Sequence, residues 1–403
     1  MRFLPIWCLL ILGLGQVCAE DLGITHARQL EMPQLPKPGY LETVVDPVFG
    51  SEITRVTGDT GAAIPGVDSV WNAVARHGYS KEGAWNCDQS LLWIRTHHGF
   101  PSMIFLDGAS YKPVFGRNIG PGSEARWTPN RPDYMVFVKD NTIGFWNVRE
   151  DTTKIVVTLP GYSEFGIGPW EGNLSNDGRL VAISAKNGGR QVAFVYDLEK
   201  RAKYPDVEFA IARLDWVSIS TSGKYLVANG KFSEGQGDQS QVYDLQGNRI
   251  GALWSEYGRP SHFDLTIDEN GDDIAVGVSK SKPDLGRVIK RRLRDGAVTV
   301  LTSGGFAGHS STRNLDRPGW AYVTYQYSGP DWPPFWNEVV AVKLDGSQIV
   351  ERIAHLHAPR TDYLTEAHAV PSPDGKRVIW ASSWGAKASG RPVSAYVARL
   401  KGR

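Results

Sequence analysis

The chain has 403 residues, and its formal charge of +1 at neutral pH gives no overall attraction for nucleic acids or membrane surfaces. Tryptophan, tyrosine and phenylalanine number 14, 15 and 14, beside 44 glycines and 24 prolines. This composition is typical of β-rich, turn-rich proteins and not of helical ones. With 41% hydrophobic residues the chain can bury a large core, which excludes a disordered protein.

The first 19 residues have the pattern of a secretory signal peptide. Arg2 precedes an apolar run, and the small residues of "VCA" at 17–19 form a cleavage pattern. An alternative is a lipoprotein anchored through Cys18, although the preceding "GQV" matches the usual motif poorly. We predict a secreted or periplasmic protein whose mature chain begins after Ala19. Cys87 would then be the only cysteine, which excludes an intrachain disulfide.

Residues 20–45 contain the proline-rich stretch "MPQLPKPGY" and are predicted to form an extended lead-in. No later run is long and apolar enough to predict a membrane span. The rest of the chain, residues 46–403, is predicted to be one domain.

A unit of short strands repeats along this domain. Each copy has a turn signal, an apolar strand, a polar loop, a second apolar strand and a hairpin, as in "SNDGRLVAI" followed by "VAFVYDLEKRAKY". The turn signals recur 42 to 56 residues apart, and their marker residues are Gln89, Arg131, Gly178, Gly223, Gly271, Gly319 and Gly375. This period suits one four-stranded propeller blade. Seven copies predict an all-β, seven-bladed β-propeller, and "GSEITRVTG" at 50–58 is a spare strand that would complete the last blade.

The propeller prediction places several histidines on one face. His77 lies in the segment leading into the first blade, and His97 and His98 lie in its second-to-third-strand loop. In a propeller both positions open on the same face, around the central channel. His262, His309 and His368 precede the inner strands of blades five, six and seven and would share that face. By contrast, His355 and His357 alternate on a predicted outer strand and are predicted to be surface residues.

Other polar and aromatic residues are predicted on the same face. The arginines Arg190 and Arg287 share one repeat position, and Arg391 shares it in blade seven. Glu171, Tyr79, Tyr162 and Trp384 also lie in loops of this face. For any one histidine, a structural bond to a neighbouring blade is an alternative, and for the arginines the alternative is an interblade ion pair. Their convergence favours a binding or catalytic site.

Arginine and histidine on one face of an exported propeller suit an acidic polysaccharide. Cleavage of a uronic-acid chain by β-elimination needs a cation to neutralise the carboxylate, a base to remove the C5 proton, and an acid for the leaving oxygen. We predict His77 as base, His97 or His98 as a donor to the carboxylate or leaving oxygen, and Arg190 as the carboxylate clamp. Tyr162 and Tyr79 are candidate acids. A hydrolase would instead need a carboxylate pair, for which Glu171 is one candidate.

The segments "YSKEGAWNCDQSLLWI", "DPVFGSEITRVTG" and "EAHAVPSPDGKRVIWASSWG" resemble secreted propeller polysaccharide lyases, especially ulvan lyases and more distantly oligogalacturonate lyases. The resemblance to ulvan lyases implies active-site histidines at His77 and at His97 or His98, and an arginine at Arg190. Asn173 stands about where these enzymes have a tyrosine, so Tyr162 is the alternative acid.

The resemblance to oligogalacturonate lyases implies a metal held by histidines of the last blades. The "HPH" pattern of that family reads "HAV" here, at 368–370. We predict a divalent ion, zinc, manganese or calcium, on His262, His309 and His368, and no organic cofactor.

The sequence thus predicts an exported, monomeric lyase for an ulvan-like acidic polysaccharide, with Tyr79, Glu171, Asn173, Arg287 and Trp384 in substrate binding. The alternatives are a propeller that only binds acidic glycans or a protein, and a glycoside hydrolase that uses Glu171.

Overall fold

The computed structural model of the chain describes residues 29–120, 123–209, 213–232, 237–255, 257–326, 334–385 and 392–400. The predicted signal peptide and Arg391 lie outside these ranges. The described residues form seven antiparallel sheets, which confirms the seven-bladed β-propeller. None of their helical segments is long and apolar enough to cross a membrane.

Blades one to three follow the predicted repeat. Their strands are, for blade one, β3 (Ala75–Arg76), β4 (Leu91–Thr96), β5 (Met103–Asp107) and β6 (Pro113–Arg117); for blade two, β7 (Glu124–Trp127), β8 (Tyr134–Lys139), β9 (Thr142–Asn147) and β10 (Thr152–Thr158); for blade three, β11 (Tyr162–Gly166), β12 (Leu180–Asn187), β13 (Arg190–Asp197), β14 (Ala202–Lys203) and β15 (Val207–Glu208). In each blade the first strand is the innermost.

Blades four to six have the same order. Their strands are, for blade four, β16 (Arg213–Ile219), β17 (Tyr225–Lys231), β18 (Gln239–Asp244) and β19 (Arg249–Trp254); for blade five, β20 (Pro260–Ile267), β21 (Asp273–Ser279), β22 (Val288–Arg292) and β23 (Val298–Val300); for blade six, β24 (His309–Ser311), β25 (Trp320–Tyr325), β26 (Glu338–Lys343) and β27 (Val350–His355). A 3₁₀ turn at Tyr363–Thr365 leads into blade seven.

Blade seven closes the ring with strands from both ends of the chain. From the inside outward it consists of β28 (Val370–Pro371), β29 (Arg377–Ser382), β30 (Ser394–Arg399), β2 (Glu52–Arg55) and β1 (Thr43–Val45). The spare strand predicted at 50–58 therefore pairs as expected, with Ile53 opposite Ala398. The end of the predicted lead-in adds a fifth, outer strand, which pairs Val44 with Ile53.

The core lies between neighbouring blades. In β4, Leu92 and Ile94 pack toward blade seven, whereas Leu91 and Trp93 pack toward blade two. Both faces of the sheet are therefore buried, which explains why this strand reads as a continuous apolar run instead of an alternating one.

A buried hydrogen-bonded pair ties the segment after strand β1 to blade six. Asp46 accepts hydrogen bonds from Nδ1 of His355 at 2.9 Å and from its backbone N–H at 3.0 Å, and Phe49 stacks on the imidazole. Burial alone would raise the pKa of Asp46, but the hydrogen bonds and charge of His355 outweigh burial and lower this pKa. The prediction that His355 and His357 are surface residues is wrong, because residues 46–49 cover His355 and Trp384 stacks on His357.

Replacing Asp46 by alanine is expected to lower the free energy of unfolding by about 3 kcal/mol, because it leaves a buried histidine without its partner. Chemical unfolding monitored by tryptophan fluorescence measures the change. Asp68→Ala is the matched control, since Asp68 is exposed and should change the value by less than about 0.5 kcal/mol. Equal stability of the two variants would show that the Asp46–His355 pair contributes little.

Candidate functional site

The candidate site is built on interruptions of the innermost strands. In blade one, pairing stops after Arg76 and resumes at the bridge between Trp85 and Leu92, so residues 77–84 form an insertion at the central channel. Blade three repeats the device, because pairing stops at Gly166 and resumes at Leu174. These insertions carry His77, Tyr79 and Lys81 in blade one, and Glu171 in blade three.

Shorter irregularities act in the same way in the later blades. The register of β20 shifts between Ser261 and Asp264, and His262 within this bulge has φ of +47°. His368, just before β28, has φ of +46°. Such left-handed backbone is uncommon for a residue other than glycine, and a bulge turns the side chain out of the regular alternation. Blades five and seven thus direct imidazoles at the channel instead of at the blade interfaces.

Four aromatic rings meet at the channel. The ring of Tyr79 lies 5.3 Å from that of His309 and 4.7 Å from that of His368. His309 in turn lies 4.5 Å from His262 and 4.3 Å from His368, measured between ring centres. Tyr79 Oη and His262 Nδ1 are 3.2 Å apart, within hydrogen-bond distance. The structure therefore brings together the three predicted metal-ligand histidines and one predicted acid.

Two of these histidines share a carboxylate. Glu366 Oε2 lies 3.0 Å from His368 Nε2 and 3.5 Å from His309 Nε2. All three residues are buried, and their ligand atoms lie within 4.8 Å of one another. Burial, with the charges of neighbouring basic groups, lowers the pKa of His309 and of His368 well below the usual value.

This donor set fits a divalent cation of the manganese or zinc class, because two neutral imidazoles and a carboxylate are the ligands such ions take. The grouping differs from the predicted one, since Glu366 stands where His262 was expected. His262 instead bonds Tyr79.

The segment 358–368 is held by two buried side chains. Gln326 donates to the carbonyls of Ala358 and Thr365 and accepts from the N–H of Ala367, with distances of 2.7, 2.9 and 2.7 Å. Arg76 donates to the carbonyl of Glu366 at 2.7 Å and to Nδ1 of His368 at 2.8 Å. These contacts fix Glu366 and His368, and they involve residues far apart in sequence.

Two cavities open at the channel, one on each side of a shared wall. The His262 cavity, of about 390 Å³, contains His262, His309 and Glu366. The His97 cavity, of about 290 Å³, contains His97, His77 and Arg95 among others. The wall that lines both consists of Tyr79, Glu171 and Tyr363.

The His262 cavity has one arginine with an unused guanidinium. Within the described ranges, Arg259 lines this cavity and has no hydrogen-bond or ion-pair partner. Burial lowers its pKa, while the more distant charges of Asp238 and Asp215 raise it. The other cations are already paired: Lys81 with Glu171 at 2.6 Å, and Arg360 with Glu366 at 2.5 Å. Arg259 is therefore the group best able to receive a ligand carboxylate.

His262 and His77 differ in their exposure to solvent. His262 is solvent-accessible within its cavity, although partial burial still lowers its pKa to about 4. His77 is only 1% exposed, and its Nε2 lies 2.6 Å from the carbonyl of His368. Burial, followed by the charge of Arg76, lowers the pKa of His77 to about 3. Both imidazoles are thus neutral at pH 7, but His262 is the more accessible to a substrate.

The predicted residues of blade one are split between the cavity and the surface. His97 is half-buried and lines the His97 cavity. His98 is exposed in the turn after β4, with φ of +62°.

Three other predicted residues lie away from the histidines. Arg190 is 68% exposed and pairs with Glu208, and Arg287 pairs with Asp284. Tyr162 donates to Asp206 at 2.8 Å and lines a different cavity. Arg190 and Arg287 do not join the site, because they lie at the second-to-third-strand hairpins of blades three and five and pair with carboxylates there. Tyr162 stands at the start of the innermost strand β11, but its hydroxyl is directed at Asp206.

Trp384 and Asn173 have structural partners. The ring of Trp384 stacks on His357 at 4.3 Å and contacts Tyr396 at 4.7 Å, and it lines neither of the two channel cavities. Asn173 donates to the carbonyl of Lys81 at 2.9 Å and so connects the two insertions.

Sequence reasoning missed Glu366, Arg259 and Arg76. Glu366 stands two residues before His368, a spacing that could have identified it as a ligand in the "EAH" stretch. Arg259 stands three residues before His262 in the same segment. Nothing in the sequence indicates that Arg76 contacts His368, because the two are joined only by the closure of the ring.

Solved structures similar to this propeller were found. An oligogalacturonate lyase in complex with manganese aligns with a TM-score of 0.63 at 12% sequence identity, over 93% of this chain and 99% of that one. The chain shares the fold of this lyase. An oligogalacturonate lyase from Vibrio parahaemolyticus gives a TM-score of 0.62 at 11% identity, with the same coverage of the two chains.

The likeness to the oligogalacturonate lyases extends over the whole propeller, and at these identities it establishes the fold alone. Of the two resemblances noted in the sequence, the more distant one is supported at the level of the fold. No protein-family model matches the chain, and no curated protein matches it by sequence.

Proposed function

We propose that this protein is a lyase that cleaves uronic-acid chains by β-elimination in the His262 cavity. The observation that carries the proposal is the Tyr79–His262 hydrogen bond, which places two proton-transfer groups beside the unpaired Arg259 and the His309–Glu366–His368 cluster. An anionic sugar, an acid, a base and a cation site are the components that this reaction needs.

Arg259 binds the uronate carboxylate in this proposal. Neutralising that charge increases the acidity of the neighbouring C5 hydrogen. A divalent cation on His309, Glu366 and His368 would supply the same chemistry by acting as a Lewis acid. One of the two structurally similar lyases is in complex with manganese. The ion pair of Lys81 with Glu171 occupies the adjoining wall and limits the space around the sugar.

His262 and Tyr79 exchange the protons. His262 donates from Nδ1 to Tyr79 Oη, which leaves the lone pair of Nε2 to take the C5 proton. The C5–H electrons form the C4–C5 double bond as the bond from C4 to the leaving oxygen breaks, and the Tyr79 hydroxyl protonates that oxygen. The Nδ1 proton of the imidazolium then passes to the phenolate through their hydrogen bond. Burial raises the pKa of Tyr79 well above 10, so the phenol is protonated when the substrate arrives.

The His97 cavity receives the neighbouring sugar. Because Tyr79 lines both cavities, a chain that spans them would present its glycosidic oxygen near the phenol. Arg95 stacks on the exposed ring of Trp170 at 4.6 Å beside this cavity and offers a charge to a second acidic unit. The ulvan-like substrate stays our prediction from the sequence, and oligogalacturonates are added because the two similar structures are named for them.

The test is near-ultraviolet absorbance during incubation with ulvan, polygalacturonate, oligogalacturonides, alginate, rhamnogalacturonan and glucuronan. A rise reports the unsaturated uronate that elimination produces. New reducing ends without absorbance would contradict the proposal and favour a hydrolase using Glu171. Absence of both signals would favour a propeller that only binds glycans or proteins. We also propose that the protein acts after export and as a monomer, which protein sequencing from the periplasm or medium and light scattering would check.

Replacing Arg259 by alanine is expected to lower kcat/KM on the active polymer by roughly 10- to 100-fold, because a charge-assisted contact contributes about 1.5–3 kcal/mol. Steady-state kinetics measures the loss. Arg249→Ala, an exposed arginine of β19, should keep the wild-type value. A similar loss in both variants would mean that general charge, and not Arg259, governs substrate binding.

A further inference from the structure

We propose that Arg76 opposes the binding of a divalent cation to the His309–Glu366–His368 cluster. It does so by holding His368 in the tautomer that carries its hydrogen on Nε2. This inference rests on the metal site of the proposed function. It concerns a side chain that is not itself a ligand.

The contact between Arg76 and His368 defines where the imidazole carries its proton. Arg76 is buried, and its Nη2 lies 2.8 Å from Nδ1 of His368. A guanidinium has only donors, so Nδ1 must accept with its lone pair. A neutral imidazole then carries its single hydrogen on Nε2.

The Nε2 hydrogen points at the cluster. Nε2 lies 3.0 Å from Glu366 Oε2, so the structure contains a chain of hydrogen bonds from Arg76 through His368 to Glu366. This same nitrogen is the atom of His368 nearest to the shared carboxylate. A metal ligand needs its lone pair there.

A metal-binding histidine has the opposite arrangement. It normally donates its second N–H to an acceptor, which directs the free lone pair at the ion. Arg76 presents a donor at that position. Its positive charge would also repel a cation bound on the far side of the ring.

Arg76 has other acceptors that can keep it in place when it releases His368. Its Nη1 donates to the carbonyls of Leu364 at 2.8 Å and Glu366 at 2.7 Å. The cluster therefore has two states. In one state, Arg76 donates to Nδ1 of His368, and Nε2–H of His368 donates to Glu366. In the other state, Nδ1 of His368 carries the hydrogen and its Nε2 is free for a metal.

The experiment measures Mn²⁺ affinity by calorimetry in the full-length wild type and in Arg76→Lys and Arg76→Met. We expect the association constant to rise at least tenfold in Arg76→Met, and less in Arg76→Lys, which keeps the charge. His309→Ala should remove binding in either background. An unchanged or weaker Mn²⁺ affinity in a folded Arg76→Met protein that still depends on His309 overturns the role of Arg76 alone.

A second readout measures the tautomer of His368 in the wild-type protein itself. In wild-type protein labelled with ¹⁵N-histidine and free of metal, His368 should show an unprotonated Nδ1, and zinc should move the proton to Nδ1. His368→Gln assigns the resonance. A protonated Nδ1 before zinc is added contradicts the inference. Mn²⁺ binding that His309→Ala does not affect, or no binding by any variant, removes the proposed metal site and the inference with it.

Discussion

Replacing His262 by alanine is expected to lower kcat by about 10²- to 10⁴-fold, the usual contribution of a positioned general base. Affinity for a non-cleaved acidic oligosaccharide should change little, because Arg259 and the walls of the cavity remain. Single-turnover absorbance measures the rate, and calorimetry measures the affinity. The thermal midpoint should stay near that of the wild type, since His262 lies in a bulge and is accessible to solvent.

The same measurements show whether His262 or His77 is the general base. The sequence assigned the base to His77, which the structure buries against the carbonyl of His368. If His77 is the base, His77→Ala abolishes turnover in a folded protein while His262→Ala retains it. A loss of stability in His77→Ala, with full activity in its folded fraction, would show a structural role.

Replacing Tyr79 by phenylalanine is expected to lower kcat by a similar factor of about 10²–10⁴, because the leaving oxygen loses its acid. The ring contacts with His309 and His368 remain, so folding should be unaffected. Tyr257→Phe is the matched control, since it removes one hydroxyl from an exposed tyrosine that bonds Asp284.

Tyr79 and His262 are expected to act as a unit. Combining Tyr79→Phe with His262→Ala should cost little more than either change alone, because each proton transfer depends on the other group. Fully multiplicative losses would mean that the two side chains act independently and that their hydrogen bond has no part in the reaction.

The fold was predictable from local patterns. Strand β4 is recognisable in the sequence as an apolar run after a turn signal, and the same unit recurs at blade spacing until Gly375. The closing strand at Glu52–Arg55 was predictable too, because "GSEITRVTG" at 50–58 is a spare strand outside the seven repeats. These features depend on hydrophobic periodicity and turn chemistry, which are determined by residues close together in the sequence.

The candidate site was predictable only in part. His309 and His368 were assigned to one site because each stands before an innermost strand. Arg190 and Arg287 were assigned by repeat position, which gives their place within a blade but not whether the side chain reaches the axis. The strand pattern predicts a surface position for His355, because it does not show that residues 46–49 return to cover it.

The number of blades, the closure of the ring and the face that collects the histidines follow from patterns in the amino-acid sequence. Three contacts emerge only in the folded ring: Glu366 joins His309 and His368, Tyr79 bonds His262, and Arg76 holds His368. They do so because they join innermost strands of different blades, where bulges and insertions turn side chains out of the regular alternation. The distances between them are set by the closed ring of sheets and not by any local run of residues.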